Sequence, residues 1–67
     1  MAPDELRRRR QALGYSVYDL ARVLEVTPTS VYRWESGAVP LEGLVAVGAD
    51  AVLKEHEARP KRKERSP

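Results

Sequence analysis

The sequence predicts a small all-helical domain of four helices, and three observations carry that reading. First, Val17, Leu20, Ala21 and Leu24 fall at i, i+3, i+4 and i+7, one stripe of a 3.6-residue period. Second, start and stop signals bracket short segments. Ser16 and Thr27 are capping residues, Pro28 stands at a first helical position, and Gly14 and Gly37 follow segment ends. Third, 67 residues make a single small domain, which buries only about 60% of its unfolded surface.

Helix one is expected to start at Pro3 or Asp4 and to end before Gly14. Asp4 and Glu5 suit the positive end of its dipole, while Arg7 to Arg10 populate the later turns. Leu6 and Leu13 supply its core contacts, with Arg10 on the same side. Helix two follows Ser16. Ala21 falls where two crossing helices come closest, so a small side chain there has a packing reason. The turn is Glu25-Val26-Thr27, with Val26 as its buried plug. In helix three Val31 and Trp34 face inward, and Trp34 reads as core. After Pro40 a last helix is expected over residues 41–57, with Leu41, Leu44, Val45, Gly48 and Val52 at helical spacing. Gly43 and Gly48 each weaken a helix interior by about 1 kcal/mol, and Asp50 could instead cap a fifth helix after a break near Gly48.

Composition excludes several classes. There is no cysteine, so no disulfide or thiolate-bound metal reinforces the core, and a reducing compartment follows. The one histidine, His56, sits among charges and reads as a surface residue. No nucleophile–base pair, metal cluster or phosphate-cradling loop is present, so neither catalysis nor a cofactor, metal or small-molecule ligand is expected. No apolar run approaches the roughly 20 residues that span a bilayer, and the expected location is the cytoplasm.

Net charge is +2, yet residues 59–67 hold five basic residues against Glu64, which leaves residues 1–58 at −2. The organisation expected is therefore a folded unit over 1–58 and a basic, disordered tail over 59–67. Positive charge in the folded unit is confined to Arg7–Arg10, Arg22, Arg33 and Lys54. Nucleic-acid binding must be argued from placement, not from net charge.

The series Arg10, Leu13-Gly14, Leu20-Ala21, Val26-Thr27, Val31 and Trp34-Glu35-Ser36-Gly37 resembles the Cro- and phage-repressor-type helix-turn-helix family of XRE-like regulators. The resemblance is ungapped through the motif and extends over residues 3–55. It implies a small lambda-repressor-like domain that binds operator DNA, usually as a two-fold dimer on a palindrome. Carried over by position, Pro28, Thr29 and Arg33 would read base edges, with Thr27, Ser30 and Tyr32 beside them. Ser16 and Val17 would sit against a phosphate through their amides. Ser36, Gly37 and Ala38 would meet the backbone on the other side, and Arg10 and Glu35 occupy the positions of a structural ion pair.

Three residues depart from the family pattern. Val17 replaces a frequent glutamine and removes a side-chain phosphate donor. Glu25 takes a turn position usually held by glycine, which strains it if the left-handed conformation is kept. Pro28 cannot donate a hydrogen bond at the first reading position. Readout then leans on Thr29, which also suits an early helical position, and on Arg33, whose guanidinium matches guanine O6 and N7. Tyr32 divides between a phosphate contact and packing. The Arg7–Arg10 run reads by default as a solvated face.

The function expected is that of a sequence-specific regulator, a small dimeric repressor of phage, mobile-element or restriction-control type, in a bacterial cell or phage-infected host. Its homodimer is expected through the last helix, by Leu41, Val45, Val52 and Leu53, with Leu44 serving the monomer core as well. The alternative is an antitoxin or protein-binding adaptor that uses the same apolar helix.

Overall fold

A computed structural model describes residues 1–59, which form four helices: α1 (Pro3–Ala12), α2 (Val17–Leu24), α3 (Pro28–Ser36) and α4 (Gly43–Ala58). No strand occurs among the described residues, and the expected tail lies outside them beyond Arg59. At the centre, each helix contributes one fully buried aliphatic side chain: Leu6, Leu20, Val31 and Leu53. Each such burial stabilises by roughly 1.5–3 kcal/mol, a large share for a chain of this length. Ala21 is buried where α2 crosses its neighbours, as its size anticipates. Leu13, Val17, Leu24, Val26 and Trp34 pack around this kernel, half-buried.

Local chemistry explains the helix ends. The Ser16 hydroxyl accepts from the Asp19 amide at 3.0 Å, and the Asp19 carboxylate accepts from the Ser16 amide at 2.9 Å, a reciprocal capping box. Thr27 caps α3 by accepting from the Ser30 amide at 3.2 Å, with Pro28 at the first helical position. Gly14 and Gly37 take left-handed backbone at φ 76° and 82° after α1 and α3. Glu25 adopts the same region at φ 60°, and the Val26 amide then reaches back to the Ala21 carbonyl at 2.9 Å. A non-glycine residue there bears roughly 1–2 kcal/mol of strain, offset by the closed turn.

The last helix is continuous, as expected, but departs from its expected course at its start and in which side chains it buries. It begins at Gly43, not at residue 41, because Gly43 turns the chain at φ 69°. It runs unbroken through Gly48, and Asp50 caps nothing: its carboxylate is held by Arg9 and Lys54. Leu41 stays ahead of the helix, 4% exposed, and its carbonyl accepts from the Met1 amino group at 2.8 Å. Leu53 is fully buried. Leu41 and Leu53 are therefore core residues and cannot form a dimer surface without unpacking the monomer. Leu44 errs in the opposite direction, 88% exposed and absent from the core. The helix turns Ala49 and Leu53 inward, because a small residue at the crossing lets its backbone approach α2.

Charge ties α1 to α4. The Arg9 guanidinium donates to Glu57 at 2.7 and 3.0 Å and to Asp50 at 2.8 Å, with Glu5 at 3.7 Å. Its bonds to Arg9 hold the Glu57 carboxyl below the usual range, and bonds to Arg9 and then Lys54 do so for Asp50. His56 is half-buried, not a free surface residue: the Tyr15 hydroxyl lies 2.7 Å from its Nδ1, ring edge to face.

Candidate nucleic-acid interface

α3 has two unlike sides. Val31 and Glu35 are buried and Trp34 half-buried against the core, while Thr29, Tyr32, Arg33 and Ser36 are exposed on the opposite flank. Thr29 and Arg33 stand one turn apart at i, i+4, with Tyr32 beside them at 53% exposure. The side chains of these three make no hydrogen bond or ion pair among the described residues. Their neighbours are committed. Thr27 and Ser30 share a hydroxyl–hydroxyl bond of 3.1 Å besides the cap, and Pro28 and Ser30 are half-buried.

Two backbone segments flank that face. At the start of α2, the Ser16 amide is taken up by Asp19, so the amides of Val17 and Tyr18 are the ones left to meet an anion. The bonds from Ser16 hold the Asp19 carboxyl below its ordinary value, and Arg22 stands 3.7 Å from it. After α3, the Ser36 hydroxyl donates to the Arg33 carbonyl at 3.2 Å and accepts from the Ala38 amide at 3.3 Å. The Gly37 amide reaches Trp34 O at 3.4 Å. This loop is thus internally bonded, with exposed Ser36, Gly37 and Ala38 at its surface.

Behind the face, Arg10 and Glu35 form a two-bonded fork at 2.7 and 3.1 Å, and Arg10 also donates to the Tyr15 carbonyl at 2.8 Å. One guanidinium therefore joins α1, the end of α3 and the residue before the α2 cap. Sequence reasoning missed the second arginine on this carboxylate. Arg7 Nε lies 3.5 Å from Glu35, and the Arg7 guanidinium donates to the Glu35 carbonyl at 3.2 Å. The side chains of Arg10 and Glu35 are 12% and 6% exposed, whereas that of Arg7 is half-exposed. With Arg9 tied from α1 to Asp50 and Glu57 of α4, three of the four consecutive arginines are anchored, which corrects the reading of a solvated face. Helical spacing places 7 and 10 on one side, the available signal for Arg7. Nothing local marks the hydrogen-bonded partners of Arg9 on α4, which are 41 and 48 residues away.

A family model described as a helix-turn-helix domain matches residues 4–56, from α1 to near the end of α4. The chain belongs to this helix-turn-helix family. No curated protein and no solved structure gives a match. In this helix-turn-helix the motif proper is α2, the Glu25 turn and α3, with α1 and α4 buttressing it. Such a domain is a DNA-binding unit of a regulator. No group of residues that could hold a metal ion occurs among those described, and no described helix is long and apolar enough to cross a membrane.

Proposed function

We propose that this domain reads duplex DNA with α3 in the major groove and acts as a small dimeric repressor on a palindromic operator, of phage, mobile-element or restriction-control type. One observation carries the reading: Thr29, Tyr32 and Arg33 stand uncommitted on one exposed flank of α3, while the rest of that helix is engaged in caps, core and ion pair. Arg33 supplies the bidentate match to guanine, and Thr29 offers a methyl to thymine. Val17, Tyr18 and the Ser36–Ala38 loop hold the duplex by its phosphates on either side. A dimer over a promoter represses by occupancy, in the cytoplasm, with no ligand pocket needed.

The test is binding to the chain's own upstream DNA and to a scrambled duplex across a salt series. A preference that survives rising salt supports base readout; equal, salt-labile affinity for both refutes it. A second reading, an antitoxin or adaptor, is favoured by the exposed apolar residues Leu44, Val45 and Val47 on α4. It predicts a protein complex that withstands salt and no discrimination between duplexes.

A further inference from the structure

The Glu35 carboxylate faces two guanidinium groups, and it holds them unequally. Arg10 takes both carboxylate oxygens at 2.7 and 3.1 Å and spends a further donor on the Tyr15 carbonyl at 2.8 Å. Arg7 is the surplus cation. Its Nε stands 3.5 Å from the carboxylate, and of the five N–H groups of a guanidinium one is spent in a hydrogen bond, to the Glu35 carbonyl at 3.2 Å. Its side chain is 50% exposed, against 12% for Arg10. Arg10 by itself neutralises Glu35, so the outer arginine presents a net positive charge to solvent.

Placement gives that charge a use. Pro3, Arg7 and Arg10 fall at i, i+4 and i+7 on one side of α1. The Pro3 ring packs beside Gly37, 3.7 Å from where a Cβ would stand there. Arg10 reaches Tyr15, the residue before the Ser16 cap. This side of α1 therefore runs from the Ser36–Ala38 loop to the start of α2, the two segments assigned above to duplex phosphates, and Arg7 stands between its ends. The loop by itself is a poor anion site. It follows the C-terminus of α3, the negative end of the helix dipole. Its donors are also spent: the Ser36 hydroxyl and the Val39 amide on the Arg33 carbonyl, the Gly37 amide on Trp34 and the Ala38 amide on Ser36. Pro40 has no amide hydrogen to add. A phosphate at this loop needs a donor from elsewhere, and Arg7 sits on the carbonyl of the residue just before it.

We infer that Arg7 is the phosphate-binding residue at this end of the interface: Glu35 holds it ready in the free protein, and on DNA it turns its spare N–H groups to a phosphate beside the Ser36–Ala38 loop. This rests on the DNA-binding reading above and supplies the donor that its loop lacks. A guanidinium–phosphate fork outweighs the single bond and long ion pair that Arg7 makes with Glu35. The transfer leaves Arg10 and Glu35 paired, so the frame behind α3 persists. Such a contact positions the duplex and carries no sequence information.

The experiment measures binding of the full chain to its upstream DNA and to a scrambled duplex across a salt series, for the parent, Arg7→Gln, Arg7→Lys and Arg8→Gln. Arg8 is the control for bare charge: it is exposed on the side of α1 toward Glu57 and makes no hydrogen bond or ion pair among the described residues. Arg7→Gln should weaken both duplexes several-fold alike at low salt and make the slope of log affinity against log salt shallower by about 0.9 per subunit. Arg7→Lys should keep the parent's slope, and Arg8→Gln should change affinity less than twofold. Circular-dichroism melts should show Arg7→Gln folded at the binding temperature, because Arg10 still holds Glu35. An unchanged slope in Arg7→Gln, an equal loss in Arg8→Gln, or a loss that Arg7→Lys shares in full overturns the inference, and a parent that still prefers its upstream DNA then keeps the DNA reading intact. Equal affinity of the parent for both duplexes, with the Arg7→Gln slope change present, removes base readout alone. A parent that binds neither duplex removes both.

Discussion

Replacing Glu35 with alanine is expected to destabilise the domain more than replacing Arg10, although the two form one ion pair. The Glu35 carboxylate is 6% exposed and holds Arg10 by two bonds, with Arg7 Nε at 3.5 Å. Removing it leaves two guanidinium groups facing each other, one of them 12% exposed. Breaking a buried pair from one side costs on the order of 3–5 kcal/mol, and partial exposure of Arg7 puts this case at about 3. Arg10→Ala keeps the carboxylate neutralised by Arg7, so a loss of about 2 kcal/mol is expected, and Arg7→Ala alone about 0.5. A domain of this size loses roughly 4–8 °C of Tm per kcal/mol, so Glu35→Ala should melt some 12–24 °C lower. Thermal and urea unfolding followed by circular dichroism and Trp34 fluorescence measure the series. Arg10→Ala proving the more damaging, or all three variants melting with the parent, would refute the argument.

The base-reading and phosphate-seeking contributions should separate: Arg33→Ala is expected to cost about 1–3 kcal/mol on the operator and flatten preference at one base pair per half-site, measured by binding to substituted duplexes. Removing residues 59–67, five basic against one acidic, should weaken binding to every sequence alike and make the salt slope shallower. Arg9→Ala should lower stability at neutral pH, and its deficit should shrink in acid. Asp50 and Glu57 are held below their ordinary values, so their contribution is complete above the unfolded carboxylate range and is lost as pH falls through the depressed folded values. Urea titrations of both proteins between pH 7 and 2.5 test this, and a gap that widens on acidification would contradict it. Glu25→Gly should raise Tm by several degrees by relieving left-handed strain at φ 60°; a lower Tm would show the strain to be negligible.

Much of the motif was legible because its signals are local. Ser16, Thr27-Pro28, Gly14 and Gly37 act within a few residues of themselves, and each does what its chemistry dictates. The pairing of Arg10 with Glu35 and the left-handed Glu25 became legible through resemblance, since nothing nearby in the chain specifies either. α4 resisted because it is apolar on nearly every side, so periodicity could not say which face is inward. Size misled as well: Leu44 looked like core, whereas Ala49 takes the crossing because close helix approach needs a small side chain. Likewise, Arg9 and His56 find their partners across more than forty residues, where spacing carries no information.

On the proposed reading, the uncommitted trio on α3 makes the DNA address of this protein separable from its architecture. Thr29, Tyr32 and Arg33 bear no cap, core or ion-pair duty among the described residues, so exchanging them leaves the scaffold's folding free energy nearly untouched. Duplicated copies could therefore diverge toward new operators one substitution at a time, without crossing an unfolded ancestor. Glu35, two positions further along the same helix, has no such freedom, because it holds the frame on which the other three are displayed.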